Sequence, residues 1–526
     1  MTRLRSFLLA VAALAGFAGC QRVMDRADFV FLNGAEPETL DPALIVGQPE
    51  GRIAGALFEG LTNFDVNGHV TPGVAEKWDI SPDGRVYTFH LRKDARWSNG
   101  DPVTARDFYD SWHRTLAPDT AAEYAYQLYY IHNGEPFNEG KITDFSQVGA
   151  QVFDDHTLRV TLDNPTPFFL DLCATTPLYP VPMATVQKWG DDWIKPGHLV
   201  GNGAYRLAEW RINDRIRLVK NPYYWDAAHV AFKTIDALPI IRATTAVNFY
   251  FAGQADLILD KGLIPPALVD DLRKLPDFHS AAYLGDYFLR FNTTRAPFKD
   301  PRVRRAFAMA IDKRLIVDKI TRAGEQPASS IVPPGCAGYQ PPPGLDYNPG
   351  EARRLLAQAG YPGGKGFPLV TYLYKEGELD EAIAVELQNM FQQQLGINVA
   401  LQRQEWKVYL NSLNSLDYDL ARSTWIGDYD DPNTFLGMFI TGNGNNDCGF
   451  ANPKYDQFIA NAAAQVDQRK RFDLFRQAEH LLISQEAPVC PLYFYVGIQF
   501  YNGNRLGGIT TNLLDEHPLQ LMYWKQ

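Results

Sequence analysis

The sequence is short of the side chains on which most catalysis and metal binding depend. Its 526 residues include only five Cys and ten His. No two Cys are spaced C-x-x-C and no two His stand as H-x-x-x-H, so zinc-site and thioredoxin-like readings fall away. There is no G-x-S-x-G elbow to expose a serine nucleophile. No block of Lys or Arg occurs, and 50 basic against 61 acidic side chains leave a net charge of −11. A nucleic-acid partner, which would need clustered cations to neutralise phosphates, is therefore not expected. Beyond the first twenty residues no apolar run reaches the about 20 residues needed to span a bilayer. The 35 Pro and 41 Gly are scattered, without a fixed period or a low-complexity tract, which argues against disordered, collagenous and solenoid chains.

What is present is a globular composition, 46% apolar, in a chain long enough for two or three domains with a large core. The 31 Phe, 26 Tyr and 10 Trp suit both core packing and the rigid walls of small-ligand pockets.

The N-terminus reads as an export signal, residues 1–19. Arg3 and Arg5 precede an apolar run from Phe7 to Phe17, and Ala18 and Gly19 lead into Cys20. Phe17-Ala18-Gly19-Cys20 resembles a bacterial lipobox with Phe in place of the usual Leu. This implies lipidation at Cys20 and a tethered protein of the cell envelope. Cys173, Cys336, Cys448 and Cys490 remain, free to be one or two disulfides of unassigned pairing or four buried thiols.

Along the mature chain the first half reads as mixed α+β. A short strand begins at Val30, a Pro-punctuated loop runs from Glu36 to Pro42, and Val86–Leu91 has strand composition. Asn99-Gly100 marks a hairpin turn, and Thr104 with Asp107 forms a capping box for a helix carrying Phe108 and Trp112. Leu158, Val160 and Leu162 alternate as a half-buried strand, as do Ile212, Ile216 and Leu218. The second half is more helical. Asp300-Pro301 starts a helix with Val303, Ala306, Phe307, Ala310 and Ile311 on its apolar stripe and its basic side toward solvent. Asn348, Pro349 and Glu351 start another, stopped by Gly360. A helix from about Asp380 to Gly396 followed by a strand at 397–401 is the αβ unit of a sheet covered by helices. A helix from Asp467 to Glu486 leads into a strand from Val489 to Tyr501.

Two strings invite other chemistry. Gly360 to Gly366 has P-loop flavour but is one residue short before Lys365 and lacks the following Ser/Thr, so it reads as a helix-to-strand turn. Asp428-Tyr429-Asp430-Asp431-Pro432 has the acids of a calcium loop without its turn glycine, and its carboxylates leave an acid/base hydrolase reading open. No metal or cofactor is called for.

Several strings together resemble one family. They are Leu40-Asp41-Pro42, Leu57 to Leu61 (LFEGL), Phe89 to Thr104 (FHLRKDARWSNGDPVT), Asn202 to Tyr205 (NGAY), Phe291-Asn292-Thr293, Pro297 to Arg304 (PFKDPRVR) and Trp425 to Tyr429 (WIGDY). In this order, over about 480 residues, they are similar to the extracellular oligopeptide-binding proteins of ATP-driven importers. The resemblance implies an α/β, two-lobe periplasmic-binding-protein-like fold with hinge strands near Tyr283 and Tyr493 and an extra α+β subdomain in the first lobe. Lobe I would comprise 20–60, 181–285 and 488–526, the insert 61–180, and lobe II 286–487. It further implies a monomeric, lipid-anchored periplasmic receptor that encloses short peptides through their backbones and hands them to a membrane permease of the ABC type, with no enzymatic step.

On the same basis Asp428 matches the acid that pairs with the peptide ammonium, and Arg422 a cation able to meet the ligand carboxylate. Tyr124 and Trp406 match aromatic pocket walls, and Trp425 and Tyr283 complete the candidate ligand-contact set. Where family members carry further basic residues this sequence has Thr321, Asp380 and Leu413, and Val46 replaces an acid. The expectation is a preference for short, neutral to basic peptides of one favoured length, with Asp380 attracting basic side chains. The competing classes are an envelope hydrolase using Asp428, Asp430 and Asp431, and a binder of a non-peptide solute such as a metal chelate or oligosaccharide.

Overall fold

The computed structural model describes residues 26–526; the signal and the Cys20 lipidation site lie outside the described residues. A mixed sheet of eleven strands runs through the molecule. From one edge it takes Val399–Gln404, Val370–Lys375 and Leu420–Ile426, then the two longest strands, Phe278–Phe291 and Val489–Tyr501. Beyond these come Leu257–Ile258, Phe29–Leu32, Thr234–Leu238, Arg215–Lys220 and Tyr205–Arg211. The short Gln326–Pro327 strand pairs off this path with Val489–Tyr501. Chain from the first half thus builds one end of the sheet and chain from the second half the other, and the two long antiparallel strands join them.

Those two strands are not regularly paired. Their register shifts between Ala282 and Asp286 and again between Tyr287 and Phe288. At the first break Leu284 leaves the ladder: its N–H donates to Leu513 O (2.7 Å) and its carbonyl accepts from Gly427 N–H (2.7 Å). Residues 278–282 pair with 496–500 on the first-lobe side and 286–290 with 489–494 on the other. A bulged crossover is a natural place for a change of strand direction.

Each end of the sheet has its own apolar core. One large cluster joins Phe29, Phe58, Phe89, Trp112 and Tyr205 in the first lobe, and two others fill the second, around Phe307 and Phe391 and around Phe435 and Phe475. The inserted α+β part is a four-stranded antiparallel sheet with Val86–Leu91 and Thr157–Thr161 at its centre. The capping box forms as expected: Thr104 N–H donates to the Asp107 carboxylate (2.7 Å), and Phe108 and Trp112 on Ala105–Leu116 are fully buried. The core of the insert is continuous with that of the first lobe.

Local sequence rules hold where a cap or an apolar stripe is unopposed. Asp300 and Asn348 cap Pro301–Met309 and Pro349–Gln358, and Gly396, at φ 69°, ends Glu378–Leu395. They fail where tertiary contacts intervene. Arg304, expected to face solvent, is buried, donating to Phe298 O (2.6 Å) and Glu486 O (2.8 Å). Ile212 sits exposed in the turn between two strands, next to Asn213 at φ 59°. Asn99-Gly100 forms a tight turn closed by one bridge, Arg96 to Pro102, rather than two paired strands. The strand after Gly396 runs from Val399 to Gln404. Cys173, Cys336, Cys448 and Cys490 are all free thiols buried in apolar clusters.

Candidate functional site

A cavity of about 530 Å³ opens beside the crossing strands. Tyr283 and Tyr495 of those strands line it, with Tyr124, Gln127 and residues 45–48 from the first half, Thr424 to Asp428 in part from the second, and the C-terminal segment Leu514–Gln520. Its size lies in the range of small-ligand sites, about 300–1,000 Å³.

Alternation along Leu420–Ile426 decides what the second lobe presents. Thr424 and Ile426 line the cavity, so Arg422 shares their face, while Ala421, Ser423 and Trp425 point the other way. Trp425 accordingly packs against the core around Leu284 and Phe435 instead of the cavity. Gly427 follows; a Cβ there would meet the Leu284 side chain at 2.7 Å and that of Thr434 at 3.0 Å, so any larger residue would force Leu284 to shift. Asp428 comes next, anchored by its N–H to Thr434 Oγ1 (3.1 Å).

The Asp428 carboxylate faces the cavity and accepts a hydrogen bond from the Tyr126 hydroxyl (3.2 Å), with the Gln127 side chain also near it. Among the described residues no cation pairs with it. Burial pushes its pKa up to about 6, only partly offset by Tyr126 and Gln127. Burial and the Asp428 charge together push the nearby Tyr124 up to about 12. An enclosed carboxylate without a counter-ion is costly to keep, and a ligand cation would relieve it.

The other acids of this loop are committed elsewhere. Asp431 forms a buried bidentate pair with Arg471 (2.6 and 2.8 Å), and Asp430 accepts from Ala337 N–H (2.7 Å). The acid/base pair that a hydrolase would need is therefore not assembled. Tyr429 bridges the lobes: its ring stacks on Phe168 (3.9 Å between centroids, 2°) and its hydroxyl meets that of Tyr130 (2.7 Å).

Arg422 departs from the expectation of an open cation. Its Nε donates to Asp380 Oδ1 (3.1 Å), both side chains are buried, and Tyr287 donates to the same oxygen (2.9 Å). Asp380 is thus a structural counter-ion and not a free acid in the pocket. Lys375 Nζ stands 3.8 Å from Asp380 Oδ2, so two cations face one carboxylate and the cluster keeps one positive charge. Trp406 lies outside the cavity, 48% exposed, stacked on Tyr409 (5.7 Å) with Lys375 over its ring (5.6 Å). Thr321 bonds Glu325, and Leu413 is buried in a small core with Tyr409 and Tyr418. Of the departures, only Val46 lines the cavity.

Of the six candidate contacts the structure brings Asp428, Tyr124 and Tyr283 to one cavity and leaves Arg422, Trp425 and Trp406 out of its lining. Gln48, which donates to the Tyr283 hydroxyl, Tyr126, Tyr495 and the segment Leu514–Gln520 were missed. Only the charges of Asp515, Glu516 and His517 hinted at the last of these, and no periodic element carries them.

Two lobes on a shared sheet, closed over a cavity beside the strands that join them, define a solute receptor of the hinged, periplasmic-binding type. The chain belongs to the bacterial extracellular solute-binding proteins, family 5, whose middle-region model matches residues 69–447. It is 38% identical over 519 residues to the periplasmic oligopeptide-binding protein OppA of Salmonella typhimurium, covering 97% of this chain and 93% of that one. The structure of the Escherichia coli murein tripeptide binding protein MppA superposes with a TM-score of 0.83 at 36% identity, covering 95% of this chain and 99% of that chain. Haemophilus influenzae OppA, solved in complex with the peptide RPPGFSPFR, gives a TM-score of 0.81 at 34% identity, with the same coverage. This is a family of binding proteins.

Proposed function

We propose that the protein is the receptor of an ATP-driven peptide importer, exported on residues 1–19, tethered through a lipidated Cys20 and acting as a monomer in the periplasm. It encloses a short peptide between lobe I (20–60, 181–285 and 488–526, with the insert 61–180) and lobe II (286–487), then presents it to a membrane permease. Asp428 carries this reading: a carboxylate with no counter-ion among the described residues, held in an interlobe cavity, is the complement of a peptide ammonium. Relatives named for oligopeptide binding, at this identity and coverage, support the ligand class. Tyr124 and Tyr283 wall the same cavity, and the Arg422–Lys375–Asp380 cluster retains one positive charge for a carboxylate end.

Native mass spectrometry of protein purified without denaturation tests this directly. Masses of copurified short peptides are expected. A bile acid, glycan or metal chelate in their place, or turnover of an added glycan or peptide, would overturn the reading.

A further inference from the structure

The first-lobe wall of the cavity carries more negative charge than an ammonium at Asp428 requires. Asp515 and Glu516 line it, and the cation on that wall is Arg52. Two of these three are already engaged. Asp515 Oδ1 accepts from His517 Nε2 (3.0 Å) and from Gln499, and Arg52 is turned toward Asn33 O (3.1 Å), Gln48 Oε1 (3.4 Å) and Asp260 (4.0 Å). Glu516 is different. Its backbone is clamped at both ends by Asn512, which accepts from the Glu516 N–H (3.2 Å) and donates to its carbonyl (2.7 Å). Its carboxylate makes no hydrogen bond or ion pair among the described residues. The side chain is exposed, and what it is exposed to is the cavity.

Tyr179 and Tyr283 stand near enough to feel the Glu516 charge, and both line the cavity. An unpaired carboxylate sharing one cavity wall with tyrosines suits an organic cation, which gains ion pairing from the acid. We infer that Glu516 is a specificity-determining residue that receives the cationic side chain of the bound peptide, a lysine, arginine or other diamino-acid residue, at one position along its length. The bias toward basic peptides expected from Asp380 is in this way transferred to an acid on the opposite lobe. The inference rests on the peptide-receptor reading.

Calorimetry separates the two. Alanine tri- and tetrapeptides carrying lysine or its neutral isostere norleucine at each position in turn are titrated into the wild-type protein and Glu516→Gln. At one position lysine should bind wild type about tenfold or more tighter than norleucine, and this ratio should collapse toward one in Glu516→Gln. Glu516→Lys should invert it, favouring glutamate at that position. Peptide binding with a lysine-to-norleucine ratio that Glu516→Gln leaves unchanged at every position overturns this inference alone. A wild-type protein that binds no peptide of the series overturns it together with the peptide-receptor reading.

Discussion

Replacing Asp428 by Asn keeps the shape of the site and removes its charge. The wild-type carboxylate is enclosed, has no cationic partner among the described residues, and is met only by the neutral side chains of Tyr126, at a long 3.2 Å, and Gln127. An ammonium brought to about 4 Å in surroundings with an effective dielectric near 20 gains about 4 kcal/mol. Desolvating the ammonium takes part of this back, so the substitution should cost about 2–4 kcal/mol, roughly thirty- to eight-hundredfold in Kd. Calorimetry with a tripeptide and its N-acetylated form completes a double-mutant cycle. Acetylation should weaken binding to wild type by a similar factor and matter little to Asp428→Asn. A variant that binds within about threefold of wild type, or an equal acetylation penalty in both proteins, would show that the ammonium is held elsewhere.

Four further outcomes follow from contacts in and around the site. Peptide affinity should fall as pH drops below about 6, where Asp428 takes up a proton and can no longer pair; calorimetry showing constant affinity from pH 7 to 5 would exclude that role. Ligand-free stability should run the other way. Burial raises Asp428 and Glu59 to about 6 and Glu479 to about 7, so between about pH 4 and 7 the folded state binds more protons than the unfolded chain, and melting temperature should rise as pH falls through that window. Tyr429→Phe removes the hydroxyl–hydroxyl bond to Tyr130 across the lobes, leaving Tyr130 the longer bond from Asn433 (3.4 Å), and should weaken the closed state by about 0.5–1.5 kcal/mol, read as a loss of peptide affinity and reduced compaction in small-angle scattering. Asp380→Asn strands the buried Arg422 beside Lys375 and should cost about 3–5 kcal/mol in denaturant unfolding, whereas an unchanged midpoint would mean that Arg422 is not held by this pair.

The chain order of elements was legible because it rests on local rules. The Thr104–Asp107 box, the Asp300 and Asn348 caps, the Gly396 stop and the apolar strand Val489–Tyr501 each need only neighbours a few residues away. Asp428 was singled out only through the resemblance of the string Trp425 to Tyr429 to the oligopeptide-binding proteins; in the structure it follows directly on the strand Leu420–Ile426 and lines the cavity. What sequence could not give was the partner of each charge. Arg422 and Asp380 are 42 residues apart, Arg471 and Asp431 are 40, and whether such ions meet each other or a ligand depends on which sheet edge and helix end the fold brings together. The same holds for Arg304, buried against the carbonyl of Glu486, and for Glu516, an unremarkable acid in an irregular tail until the sheet carries that tail across to the cavity. Backbone conformation follows from near neighbours along the chain, but the balance of a buried charge is set by everything within a few ångströms of it, and only the tertiary structure decides what that is.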